Sequence, residues 1–339
     1  MATMKLARVH GVDDVRLDEV PVPGAGAGDV VVKVAACGIC GSDIGYVAKG
    51  GLMGPGASPL ALGHELSGTL VEVGAEVRDL SVGMRVIVNP DDNLIGSGGP
   101  GGGFAPFLAV RNARRDVNVL VIPDHLPADI AALTEPLSVA LHGVNQAKVK
   151  PGEKAVVLGA GAIGLGVVIG LRRRGVSDIV VVDVTPERLR LAERLGASMT
   201  INPREQDMRG ALAARFGESS QYGWSMVDTD VFIDAAGAAE PLQQAIDLCR
   251  TGTRFAIVAL HKKPVPIDLV QVMAKELLIT GSIAYPQDEF AEVLDMLSEG
   301  EVDVSPMISH HFAFERFAEA FSTAKDGARA LKVMVEYPQ

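Results

Sequence analysis

The sequence predicts an α/β protein, with a β-rich first part followed by a doubly wound parallel sheet. Three observations predict it. Ala155–Leu158 is an apolar β-type run that feeds directly into Gly159-Ala160-Gly161-Ala162-Ile163-Gly164 and then a helical segment. From Lys154 onward strand-like and helix-like segments alternate, which implies parallel strands with right-handed crossovers. Before Leu133 the texture is different: short β-branched runs punctuated by glycine.

In order, Val30–Val34, Leu66–Gly74 and Val82–Val88 read as strands. Residues 21–28, 50–59 and 96–103 read as loops, and the last, GSGGPGGG, reads as the most flexible stretch of the chain. Helical periodicity appears at Leu133, Leu137, Ala140, Leu141 and Val144. A second β-run, Ile179–Val182, ends on Asp183, and Thr185-Pro186 opens a helix that stops at Gly196. Further strands are expected at Thr200-Ile201, 230–234, 253–260 and 277–280. The tail, 290–339, adds two helical segments and a last strand at Lys332–Val335.

With 339 residues, 48% hydrophobic and 22% charged, the chain has room for two cores and the balance of a globular protein. No apolar run has the length of a membrane span, and the first eight residues lack a signal-peptide core, so no membrane partner and a cytoplasmic location are expected. A net charge of −11 without a basic stripe argues against a nucleic-acid partner. Only Cys37, Cys40 and Cys249 are present, which excludes a disulfide scaffold and a four-cysteine zinc site.

The glycine pattern has its full context of strand, helix, second strand and a following acid. Gly159 allows the tight turn, Gly161 lets a pyrophosphate approach the backbone, and Gly164 lets the helix pack on the sheet. The helix start, with Ile163, offers free N–H groups to phosphate. Asp183 would accept hydrogen bonds from the adenosine ribose and repel a 2′-phosphate, favouring NAD over NADP. Arg188 could lie over the adenine or near the ribose, or be a solvated helix residue.

Cys40, in Cys40-Gly41-Ser42-Asp43, and His64, in Gly63-His64-Glu65, are the donor types a catalytic zinc prefers. Glu135, before Pro136, is a candidate third ligand; Glu65 could alternate with it or stand behind the ligands. Cys37-Gly38-Ile39-Cys40 is formally a CxxC, but a redox pair needs a following helix and none is obvious here, so Cys37 reads as a buried small residue. His142 reads as a core histidine. His261 reads as a group at the nicotinamide end or as a loop residue, and His310-His311 as structural. Tyr46, Leu52, Met53, Phe104 and Phe107 suggest an apolar pocket near the metal, suited to a neutral alcohol.

Together, GICGSD (38–43), GHE (63–65), EPLS (135–138) and GAGAIG (159–164) resemble the zinc-dependent medium-chain dehydrogenase/reductase family, over essentially the whole chain. The Glu-Pro-Leu segment resembles its polyol, butanediol and threonine dehydrogenase branch. The resemblance implies a GroES-like catalytic domain of 1–136 and 285–339, with a Rossmann NAD-binding domain of 137–284 inserted and the active site in the cleft. It implies one catalytic zinc on Cys40, His64 and one of Glu65 or Glu135. Ser42 and Glu65 are then the catalytic residues, Ser42 moving the substrate proton. Asp43 orients the ligand histidine, and Lys332 stands near the cofactor pyrophosphate. The implied reaction is reversible hydride transfer between NAD and a secondary alcohol, diol or polyol and its ketone, by a homodimer or homotetramer.

Two features depart from the family. The segment 89–103 has none of the four cysteines of the structural-zinc lobe, so no structural zinc is expected. Gly45 stands where many relatives have a histidine beyond the relay serine. The alternatives are a zinc-free quinone or enone reductase of the same fold, a non-catalytic NAD-binding relative, and a redox dithiol at Cys37 and Cys40.

Overall fold

The computed structural model describes residues 2–221 and 223–338. The chain divides into two compact units, one of residues 1–135 and 290–339 and one of residues 136–289. The second division, between 289 and 290, lies in the helix Gln287–Ser298. Among the described residues no helix is long and apolar enough to cross a membrane.

The first unit is β-rich. Its main sheet runs in the order Ile308–Ala313, Lys332–Glu336, Val30–Gly38, Glu65–Val73, Arg85–Val88 and Val119–Val121, with Phe107–Val110 also on Val30–Gly38. A smaller sheet joins Thr3–Gly11, Asp14–Pro21 and Leu60–Ala61. Val30–Gly38 is buried except at Lys33, as an apolar run broken only by that lysine requires of a strand covered on both faces. The core below it gathers Leu62, Leu66, Leu70, Phe104, Phe317 and Phe321. Phe104 is fully buried and its ring lies 5.1 Å from that of Phe317. Phe107 is in a strand paired with Lys33. Neither ring belongs to the apolar pocket near the metal that the sequence suggested: Phe104 is consumed by the core, and Phe107, partly buried, lines a cleft with Met4, Leu6 and Ile95.

Two local expectations are corrected. A helix, Gly41–Lys49, begins directly after Cys40, although Gly41 and Gly45 mask it in the sequence through their poor helix propensity. The glycine-rich stretch 96–103 is a tied-down loop. Gly96 N–H donates to Gly101 at 2.9 Å, Gly99 to Leu94 at 2.7 Å and Gly103 to Gly63 at 2.7 Å. A Cβ on Gly102 would meet the Leu62 carbonyl oxygen at 2.1 Å. Its glycines serve close backbone approach to the segment that leads into His64.

The second unit is a six-stranded, all-parallel sheet in the order Met199–Ile201, Asp178–Val182, Lys154–Leu158, Val231–Asp234, Arg254–Ile257, Leu278–Gly281. The order reverses between Lys154–Leu158 and Val231–Asp234, the switch point where doubly wound sheets bind ligands beyond their carboxyl ends. Phe232 and Phe255 stack at 5.1 Å in its core. An antiparallel hairpin, Glu218–Gln221 with Trp224–Val227, was not foreseen.

Candidate metal and dinucleotide sites

Cys40, His64 and Glu65 bring their ligand atoms within 4.8 Å of one another. The sheet and one helix start produce this arrangement. Cys40 is the N-cap of Gly41–Lys49, and Glu65 is the first residue of the strand Glu65–Val73. Asp43, fully buried, fastens the two ligand segments together. Its Oδ2 accepts the Cys40 amide at 2.9 Å and its Oδ1 the Gly63 amide at 3.2 Å. His64 Nδ1 lies 3.7 Å from Asp43 Oδ1 and is buried without a hydrogen-bond partner. His64 Nε2 is 3.4 Å from Ser42 Oγ.

The field of the site is negative. Burial works against the charged form of His64, yet the charges of Asp43 and Cys40, with Glu135 behind them, hold its imidazole well above its ordinary pKa. Burial raises the Asp43 carboxyl. A thiolate, an imidazole and a carboxylate, brought together beside an orphaned buried ring nitrogen, fit a zinc ion. Cys37 is fully buried, and burial pushes its thiol well above the usual range, the opposite of the lowered pKa that a reactive redox thiol carries.

Lys332 is corrected. Its ammonium sits 2.6 Å from both oxygens of Glu65 and 3.3 Å from the Ile39 carbonyl, with the side chain 4% exposed. Its donors are thereby used inside the first unit and are not presented to a cofactor phosphate. Lys332, Gly38 and Glu65 stand on three adjacent strands, with Gly38 opposite Glu65 in the register. A Cβ on Gly38 would come within 2.1 Å of Glu65 Oε2, so only glycine leaves room for that carboxylate. Glu135, in the first turn of Thr134–Gln146, is buried and outside the trio, but its charge acts on both His64 and Lys332.

Ser42 is half-buried beside His64, and its hydroxyl also engages the Tyr46 phenol, whose pKa burial raises. The sequence places Tyr46 near the metal but does not show its relation to Ser42. An i, i+4 relation on a helix would have shown it had the helix been foreseen.

In the second unit, Gly159 ends the strand Lys154–Leu158 with φ +95°, and Gly161 is the N-cap of Ala162–Arg173. A Cβ on Gly164 would meet the Gly159 carbonyl oxygen at 1.9 Å, which fixes glycine for packing. A Cβ on Gly161 would meet nothing within 4 Å. That open space above a helix N-terminus fits a dinucleotide phosphate. Ile163 lies half-buried in the same first turn. Asp183 closes the neighbouring strand; its Oδ2 accepts the Ala160 amide at 2.7 Å and its Oδ1 the Thr185 amide at 2.8 Å. Arg188, half-buried, follows one turn into the helix Pro186–Arg194. At the end of Val231–Asp234, buried Asp234 holds His261 Nε2 at 2.6 Å.

Residues 26–123 match the family model described as alcohol dehydrogenase GroES-like domain, and residues 162–299 match that of zinc-binding dehydrogenase. The chain is 33% identical to (R,R)-butanediol dehydrogenase of Bacillus subtilis over 93% of this chain and 94% of that one. It is 30% identical to sorbitol dehydrogenase of the same organism, over 99% and 97%. The crystal structure of 2R,3R-butanediol dehydrogenase from B. subtilis superposes with a TM-score of 0.86 at 31% identity, covering 99% of this chain and 100% of that one. A chain described as a zinc-binding dehydrogenase from Sinorhizobium meliloti 1021, bound to NADP, does so with 0.85 at 29%, over 99% and 100%. This chain therefore belongs to the zinc-binding dehydrogenases built on a GroES-like domain, within the zinc-type medium-chain dehydrogenases. It is an oxidoreductase of a class that works with zinc and a nicotinamide cofactor.

Proposed function

We propose that this chain is an NAD-dependent zinc dehydrogenase that interconverts a neutral secondary alcohol, diol or polyol and its ketone. The observation that carries the reading is the assembled donor set of Cys40, His64 and Glu65. Butanediol and sorbitol dehydrogenases among its relatives point to vicinal diols and polyols as the substrate class. Zinc held by this set supplies Lewis acidity that lowers the pKa of an alcohol hydroxyl, and NAD accepts the hydride.

The chain's own groups do the rest. Asp43 holds the Cys40 and His64 segments in register. Lys332 neutralises Glu65 and fixes its carboxylate, while Glu135 stands close by as the other candidate ligand. Ser42 Oγ takes the substrate proton and passes it on, with the Tyr46 hydroxyl as its immediate neighbour in place of the missing histidine at position 45. Gly159, Gly161, Ile163 and Gly164 receive the pyrophosphate. Asp183 disfavours a 2′-phosphate, and Arg188 borders the adenosine. One zinc per chain serves catalysis, and no structural zinc is held in the cysteine-free segment 89–103.

A cytoplasmic setting and a homo-oligomer belong to the same reading. Strand Leu278–Gly281 is a sheet edge, paired only with Arg254–Ile257 among the described residues. Leu278 and Ile283 are 63% and 87% exposed, and Leu269 and Met273 of the adjoining helix are exposed as well. An apolar edge of this kind fits pairing with a second copy. The function is tested by measuring NAD and NADP reduction with 2,3-butanediol, sorbitol and simple secondary alcohols. Oxidation of diols or polyols with NAD preferred supports the reading. Activity confined to reducing quinones or enones with no effect of zinc removal contradicts it.

A further inference from the structure

A second cluster of metal-ligating side chains lies in the first unit, outside the Cys40 trio. Asp129, His311 and Glu336 bring their ligand atoms within 4.8 Å of one another. They come from three elements: the short helix Ala128–Ala132, the strand Ile308–Ala313 and the strand Lys332–Glu336. His311 Nδ1 is 2.8 Å from Glu336 Oε1. Asp129 Oδ1 accepts the Ile130 amide at 2.9 Å, a single local bond that leaves the carboxylate with further acceptor capacity. Among the described residues neither carboxylate has a lysine or arginine partner, on a chain that already carries a net charge of −11.

We propose that Asp129, His311 and Glu336 form a second, exchangeable metal site for a borderline divalent cation such as zinc, nickel or cobalt. The imidazole selects these over magnesium and calcium, which take all-oxygen surroundings. Two carboxylates supply the charge, and His311, exposed at the surface, leaves the ion open to solvent and to exchange. Closing ligand atoms from 4.8 Å onto one ion takes movements on the order of 1 Å, given metal–ligand bonds of about 2 Å. The site has a mechanical consequence. Asp129 precedes Glu135 in the segment packed on the main sheet, where Ser67 Oγ donates to the Ala128 carbonyl at 2.6 Å. Glu336 is on the strand that carries Lys332. An ion at this cluster ties the helix leading to Glu135 to the strand bearing Lys332.

The test is nickel and zinc titration, by calorimetry, of full-length protein that has been dialysed but retains its tightly held metal. The expected result is one further equivalent per chain in the wild type, weakened at least about tenfold in His311→Gln. His310→Gln serves as the neighbouring control and should bind as the wild type does. Nickel should also raise the unfolding temperature of the wild type and not of His311→Gln. No further equivalent in the wild type, or equal uptake by the wild type and His311→Gln, overturns the proposal. The comparison of wild type with His311→Gln is independent of the reading of the catalytic site, because an empty Cys40 trio would take up metal equally in both.

Discussion

The Lys332 ammonium lies 2.6 Å from both carboxylate oxygens of Glu65, with both side chains sealed from solvent. Burial works against the charged ammonium, but the charges of Glu65, Cys40 and Glu135, with the hydrogen bond to Glu65, together outweigh it and raise the Lys332 pKa. A buried pair of this kind is costly to break from one side, because the remaining charge has no partner. Lys332→Met is expected to destabilise the protein by about 3–5 kcal/mol in urea unfolding. Lys332→Met/Glu65→Leu should recover part of that loss while abolishing activity. Equal stability of Lys332→Met and wild type would show that the pair carries no such weight.

Gly38 faces that same carboxylate across the sheet, with room for no side chain. Gly38→Ala should fold, because its neighbours on the strand are unaffected, but it displaces Glu65 Oε2. The expected outcome is weakened zinc retention by about tenfold or more, on the scale seen when groups that support metal ligands are removed. Zinc affinity by competition with a chromophoric chelator measures it.

At the dinucleotide site, Asp183→Asn removes the charge expected to repel a 2′-phosphate but keeps one acceptor for the Ala160 and Thr185 amides. The ratio of kcat/KM for NAD over that for NADP should fall by at least about tenfold, or ~1.4 kcal/mol. A ratio that does not move would remove Asp183 from cofactor choice.

Asp29 gives a pH-dependent term away from both sites. Burial alone would raise its carboxyl, but the Arg111 guanidinium and the Asn112 and Gly26 amides, each at 3.1 Å, outweigh it and depress the pKa below 3.8. A depressed folded-state pKa gives stability that is present above the unfolded value and lost as pH falls through the folded one. Asp29→Asn should therefore be less stable than wild type at pH 5–7 by about 1–3 kcal/mol. The gap should narrow below about pH 4. A gap independent of pH would exclude this linkage.

Much of this architecture is written locally. The switch-point sheet was readable because strand, Gly159-Ala160-Gly161, helix and Asp183 are contiguous and each step has its own signal. That Cys40, His64 and Glu65 come together was suggested only by the combination of motifs, since sheet pairing such as Gly38 with Glu65 brings their segments close in a way that spacing does not reveal. The helix after Cys40 was hidden by Gly41 and Gly45. The ordered 96–103 loop was hidden because glycine used for close packing looks the same in sequence as glycine used for freedom. Lys332 was misplaced for a related reason. Its partner is 267 positions away and opposite a glycine, so nothing local pairs the two.

Alcohol oxidation by this chain is proposed to depend on one zinc held by Cys40, His64 and a glutamate. The most direct measurement is zinc content after dialysis against a weak chelator, taken together with NAD reduction by 2,3-butanediol, for wild type and Cys40→Ser. One retained zinc per chain is expected in the wild type, and the loss of both zinc and activity in Cys40→Ser. Full activity in Cys40→Ser, or in wild type stripped of zinc, would contradict it.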